Sequence, residues 1–325
     1  MDLNGKKIFV AGATGLAGAG VIRGLLRRYP EVRVRGTHNR LEPFMADARL
    51  EYIKADLTRR EDCATAVAGC DMAVLAAANT GGAGATRDDP AAQVTDNVVM
   101  DALLFQSIAD AGIKRAVFVS SATVYQEREG AIAEDQLDMN LEPHAAHQGI
   151  GWAKRTAEKL AQFWHAKYGL AMVIARAANI FGPYARFDPK RANFIPALVR
   201  KAVDKMEPFE VWGNPAVTRD VIYVDDFADA ICALLAAEAL PWGVFNVGSG
   251  EPTTVGQVVQ WVLAGAGHRP KQITYTESGP TTIPFRVLDC SRIQEAVGWK
   301  PALTVEDGVK RTIRWWMENR NWWRK

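Results

Sequence analysis

Ile8-Phe9-Val10-Ala11-Gly12-Ala13-Thr14-Gly15-Leu16-Ala17-Gly18 carries an apolar run through three glycines into a helical pattern that reaches about Arg28. Glycine permits a tight turn and lets backbone approach a ligand closely. A helix N-terminus behind such a turn offers free N–H groups and a positive dipole end to a phosphate. Standing at the head of a βαβ pattern, Gly12, Thr14, Gly15, Leu16 and Gly18 are the candidate cradle for a dinucleotide pyrophosphate. The alternative is an ordinary strand-to-helix turn.

Working outward, further strands fit Val32–Gly36, Leu50–Lys54, Met72–Ala76, Ala116–Ser120 and Ala171–Ala175. Helices fit about Val94 to Ala111 and Gly151 to Tyr168. Strands apolar on both faces and separated by helices imply a parallel sheet covered on both sides. The expected fold is α/β, a doubly wound Rossmann-type sheet binding ligands at its carboxyl edge, with a smaller C-terminal α/β lobe. After about Ile180, Gly182-Pro183-Tyr184 and Asp188-Pro189-Lys190 are turn signals. Helices then fit Ile195–Asp204, Asp225–Glu238 and Val255–Gly265, and short strands Phe209–Trp212, Val221–Val224, Val244–Val247 and Gln272–Tyr275. The expected division is a dinucleotide-binding domain at 1–180 and a substrate lobe at 181–325, with the chain crossing between them more than once.

The 325 residues are 48% hydrophobic and 23% charged, which argues against disorder, and the net charge of +2 gives no nucleic-acid signature. No apolar run reaches the length of a membrane span, and the N-terminus lacks a signal peptide's apolar segment. The four cysteines form no zinc or Cys-x-x-Cys pattern, so no metal and a cytoplasmic location are expected. The second strand ends in Arg35-Gly36-Thr37-His38-Asn39-Arg40, with no carboxylate for a ribose 2′-OH before Glu42. Arg40, together with Arg35, can pair with a 2′-phosphate, which favours NADP while leaving NAD open; the alternative is solvated surface arginines.

Ser120-Ser121-Ala122-Thr123-Val124-Tyr125 and Gly149-Ile150-Gly151-Trp152-Ala153-Lys154, read with the glycine turn, resemble the extended short-chain dehydrogenase/reductase superfamily. Within it the chain is most similar to NAD(P)-dependent nucleotide-sugar epimerases and dehydratases, and among these to GDP-fucose synthase-like members. The resemblance implies that Ser121 hydrogen-bonds the reacting oxygen and that Lys154 holds the nicotinamide ribose. The family tyrosine, one helical turn before the lysine, is Ile150 here, and isoleucine has no proton to exchange. Tyr125 is not an obvious substitute. His144 and His147 lie just upstream; His147 can in principle reach the pocket, although both fit loop positions facing water better. Thr123 can donate a hydrogen bond near the substrate, or simply pack.

The same resemblance assigns Asp56 and Leu57 to adenine, Asp56 also suiting a turn cap. It assigns Ala76, Ala77, Ala78 and Asn97 to the cofactor side. Gly81, Gly82, Asn179, Asn193, Trp212, Arg219 and Arg286 fall on the sugar-nucleotide side, the arginines as diphosphate ligands. Thr123 and Asn193 stand at the Cys and His positions of fucose synthesis, and neither is a good acid or base near neutral pH, which argues against double epimerisation. Val124-Tyr125 replaces the dehydratases' Asp-Glu pair, which argues against dehydration. The implied activity is hydride transfer at a sugar carbon, C4 above others, by an epimerase or keto-reductase. The implied substrate is a nucleotide sugar, a GDP-sugar by resemblance, and the implied assembly is a homodimer through the helices near 94–111 and 151–168. The rival reading is a non-catalytic protein that binds a dinucleotide or sugar nucleotide. Trp315, Trp316, Trp322 and Trp323 read as a terminal amphipathic helix or as a surface-binding tail.

Overall fold

Alternation within uninterrupted apolar strands builds a sheet with two buried faces. In the computed structural model, which describes residues 1–80, 89–276 and 283–322, Ile8 and Val10 of the first strand face one hydrophobic core. Phe9 and Ala11 face another. The strands of this sheet are β1 (Lys7–Ala11), β2 (Arg33–His38), β3 (Leu50–Lys54), β4 (Met72–Leu75), β5 (Arg115–Ser121), β6 (Ala171–Ala177) and β7 (Trp242–Val247). All pair in parallel, in the order β7-β6-β5-β4-β1-β2-β3. The order reverses between β1 and β4, the switch point at which doubly wound sheets bind ligands. The expected doubly wound fold is therefore present. The strand at 242–247, well past residue 181, belongs to this central sheet.

The helices are α1 (Leu16–Arg28), α2 (Arg60–Val67), α3 (Thr95–Asp110), α4 (Gln148–Tyr168), α5 (Phe194–Val203), α6 (Val224–Ala236), α7 (Val255–Gly265), α8 (Ser291–Val297) and α9 (Val305–Glu318). On one face α1 and α6 pack closely, and a Cβ at Gly20 would come within 2.5 Å of Val224 Cγ2. Arg115, at the start of β5, donates to the carbonyls of Leu234, Leu235 and Ala237. It thereby satisfies the orphan acceptors at the C-terminus of α6 with a cation. On the other face α3 and α4 supply Phe105, Ile108, Ala157 and Ala161 to the core.

Helices α5, α7 and α9 form a third core beside the sheet. Phe187 stacks on Trp316 at 4.2 Å, and Trp322 packs against Phe44 at 4.5 Å and Tyr184 at 5.1 Å. The terminal aromatics are thus packing residues as far as Trp322; Trp323 lies outside the described residues.

Two local readings need correction. Helix α2 is not among the helices the sequence pattern predicts, because its eight residues, Arg60 to Val67, carry too short an apolar repeat, although Glu61 and Asp62 suit its N-terminal turn. Helix α4 begins at Gln148, three residues before the expected start, because the turn Ala145–His147 leads directly into it. Among the described residues no helix is long and apolar enough to cross a membrane. Among them, too, no group of three or more His, Cys, Asp or Glu side chains is placed to hold a metal ion.

Candidate functional site

The glycine turn sits at the carboxyl end of β1. Gly12 has φ +78°, and a Cβ on it would lie 2.8 Å from Ala77 Cα. A Cβ on Gly18 would lie 2.2 Å from Gly12 O. Only backbone fits at either place, so the turn can lie flat against Ala76 and Ala77 behind β4. Gly12 N donates to Thr37 Oγ1 at 3.0 Å, and Ala13 N to Thr37 O at 2.9 Å, which ties the turn to β2. Gly15 precedes α1 without a side-chain cap, and the first turn, from Leu16, holds no acid. Thr14 is buried beside it. This bare helix start fits an anionic pyrophosphate. Gly18→Ala is expected to abolish tight dinucleotide binding and lower thermal stability, as calorimetric titration and a melting curve would show.

Around the turn, Asp56 accepts from Thr58 N at 3.0 Å and Thr58 Oγ1 at 2.7 Å, and these bonds hold its carboxyl below the usual range. It caps a turn and does not start α2, whose N-cap is Arg59. Leu57 is buried next to it. Asn97 is fully buried; it accepts from Asn79 N at 2.7 Å and donates to Asn79 O and Gln93 O. Its amide therefore fixes the segment that follows Ala78. Arg40 is exposed. Arg35 is not available to a phosphate: it bonds Glu51 and the carbonyls of Ala66 and Ala68. Gly81 and Gly82 lie outside the described residues.

Ser121 ends β5, and its Oγ accepts from Thr123 N at 3.2 Å. Thr123 Oγ1 is buried without a partner among the described residues. The N-terminal turn of α4 lies directly on this segment, since a Cβ at Gly151 would sit 2.7 Å from Thr123 O. Ile150 and Lys154 follow on α4, one turn apart. Lys154 Nζ lies 3.2 Å from Asp101 Oδ2 of α3 and 4.4 Å from the centre of the Phe118 ring, with both charged side chains buried. Burial pushes the Asp101 carboxyl up, and Lys154 opposes that.

Ser121, Thr123, His147, Asn179, Arg219, Asp220 and Arg286 line one cavity. Arg286 donates to Ala122 O at 2.8 Å and Tyr125 O at 3.2 Å, and its Nε is buried without a partner among the described residues. Arg219 donates to the carbonyls of Thr218 and Ile283. Among the described residues neither guanidinium has a carboxylate within ion-pair distance, and burial pushes each down to about 10. Two desolvated, unpaired cations facing one space form a site for an anion. Asp220 accepts from Ser249 N, Ser249 Oγ, Gly250 N and Leu288 N, so it anchors the cavity wall.

Three expectations differ from this arrangement. Trp212 is 54% exposed, because strand Phe209–Trp212 alternates and places it outward, and it does not line the cavity. Asn193 is exposed at the N-cap of α5, also outside the lining. His147 was expected to face water; it is half-buried and lines the cavity. Burial first, then Arg286, His144 and Arg219, push it down to about 4. Below pH 6.5 the unfolded chain protonates this histidine, while the folded chain does not until about pH 4. Stability is therefore expected to fall as pH drops through that window, and His147→Gln to flatten the slope in urea titrations.

Tyr125 is fully buried, donates to Asn246 Oδ1 at 2.6 Å and accepts from Arg176 at 3.0 Å. Burial pushes its hydroxyl up to about 12, and Tyr125 is not among the residues that line the cavity.

The chain matches the model of the NAD dependent epimerase/dehydratase family over residues 8–248. It is 31% identical to the probable GDP-L-fucose synthase 1 of Oryza sativa subsp. japonica, over 97% of this chain and 93% of that protein. It is 28% identical to a dTDP-4-dehydro-6-deoxy-D-allose reductase of Streptomyces bikiniensis, over 96% of each. A solved dTDP-glucose 4,6-dehydratase double mutant from Streptomyces venezuelae, with NAD bound, superposes with a TM-score of 0.83 at 26% identity over 98% of each chain.

Proposed function

The chain belongs to the NAD-dependent epimerase/dehydratase family, and from that premise we propose that it is a C4 epimerase or keto-reductase of a nucleotide sugar. The observation that carries this reading is the pair of carboxylate-free guanidiniums, Arg219 and Arg286, in the cavity that also holds Ser121. Residues 1–180 carry the dinucleotide and residues 181–325 supply most sugar-nucleotide contacts. The cofactor, when bound, gives or takes a hydride at the sugar carbon. The turn at Gly12, Gly15 and Gly18 holds its pyrophosphate, and Arg40 favours the 2′-phosphate of NADP. Ser121 donates to the reacting oxygen, Asn179 and the two arginines orient the nucleotide, and Lys154, positioned by Asp101, places a cation near the ribose.

A GDP-sugar is favoured because a 31%-identical relative is named a GDP-L-fucose synthase. Phe163 and Tyr168 on α4, 46% and 63% exposed, and Val99 on α3 support a homodimer through these helices. The protein works in the cytoplasm. The test is product analysis by mass spectrometry and NMR with NADP(H), NAD(H) and a panel of nucleotide sugars and their 4-keto forms. The reading expects a C4-altered sugar; a protein that binds both ligands and alters no sugar is the non-catalytic rival.

A further inference from the structure

We propose that His147 exchanges the proton with the reacting sugar oxygen, in the role that Ile150 cannot fill. The proposal rests on reading the cavity as a nucleotide-sugar site. His147 closes the turn Ala145–His147 and stands immediately before α4. Gly151 and Lys154 follow it by four and seven residues, so all three share one helix face. That face is pressed onto the Ser121–Thr123 turn at Gly151, and His147 lines the cavity with Ser121 and Thr123.

Among the described lining residues only His147 and Asp220 carry an imidazole or a carboxyl, the side chains that most often serve as general acid or base. Asp220 is committed to four hydrogen bonds in the wall. That leaves the imidazole. When a C4 carbonyl gains a hydride, the C=O π pair moves to oxygen. The oxygen then takes one proton from protonated His147, which is left neutral and is reprotonated by solvent. Oxidation of a C4 hydroxyl is the reverse.

The groups around His147 make this proton conditional on substrate. Burial above all, and then the charges of Arg286, His144 and Arg219, disfavour its cation. His144 accepts from Ala146 N through Nδ1 and has Glu127 3.9 Å from Nε2. A diphosphate held by Arg219 and Arg286 offsets those two charges and moves the imidazole toward neutral pH.

The test is NMR of the whole chain labelled at its five histidines, with His147→Gln assigning the signal. The protein is titrated with acid alone and with GDP, UDP or dTDP. The His147 midpoint is expected to rise by at least about one pH unit, tenfold in proton affinity, when any of these nucleotides binds. Arg286→Met is expected to raise it without nucleotide. In turnover, His147→Gln should lower kcat by about 100-fold or more with little change in KM, and adding Ile150→Tyr should restore it. Nucleotide binding with an unmoved midpoint, or full kcat in His147→Gln, overturns this proposal alone. Failure of GDP, UDP and dTDP alike to bind overturns the functional reading and the proposal with it.

Discussion

Arg286→Met is expected to weaken binding of a nucleoside diphosphate by about 30-fold to 4,000-fold while leaving the protein folded. Truncating one partner of a buried charge pair costs about 2–5 kcal/mol, and about 1.4 kcal/mol is tenfold in affinity. Arg286 is buried, and no described carboxylate is within ion-pair distance. Its charge is therefore held at the expense of desolvation, and removing it relieves that cost. The loss of two bonds, to the carbonyls of Ala122 and Tyr125, acts in the opposite direction. The melting temperature should thus move little while calorimetry with GDP loses its signal. A variant that keeps its affinity would remove the basis for placing the diphosphate between Arg219 and Arg286.

Glu158→Ala should have the largest effect on stability, about 3–5 kcal/mol, because it leaves a buried cation unpaired. Glu158 on α4 receives Arg176 Nη2 at 2.7 Å and Ser120 Oγ at 2.6 Å, which joins β5, β6 and α4. Arg176 also donates to Tyr125 Oη and to Glu134 O, and Asn246 N donates to Glu134. The network thus runs beneath the Ser121 turn from the first half of the chain to β7. Urea unfolding would measure the loss. Replacing Glu158 and Arg176 together with apolar residues should cost less than Glu158→Ala alone, since no charge is then stranded.

The parts legible in sequence are those written in local pattern. The glycine turn from Gly12 to Gly18, the apolar strands and the Ser121 and Lys154 segments each state their role within about ten residues. What sequence hid was pairing across elements. Asp101 reads as one of three aspartates on its helix, and only the packing of α3 on α4 makes it the partner of Lys154. Arg35 and Arg40 read alike until β3 supplies Glu51 to the first. His147 reads as a loop histidine because two of the groups that line the cavity with it, Arg219 and Arg286, stand far along the chain. A usable signal was its spacing: a histidine seven residues before the lysine lies on the lysine's helix face.

The most direct test of the central claim follows the sugar carbon itself. The protein would be incubated with NADPH or NADH deuterated at the nicotinamide, and with GDP-, UDP- and dTDP-linked 4-keto sugars. Parallel incubations would use NAD(P)+ and the 4-hydroxy sugars. The account predicts one deuterium delivered to sugar C4, or a C4 epimer formed, for at least one nucleotide sugar. Tight binding of dinucleotide and nucleotide sugar with every sugar recovered unlabelled and unepimerised would contradict it.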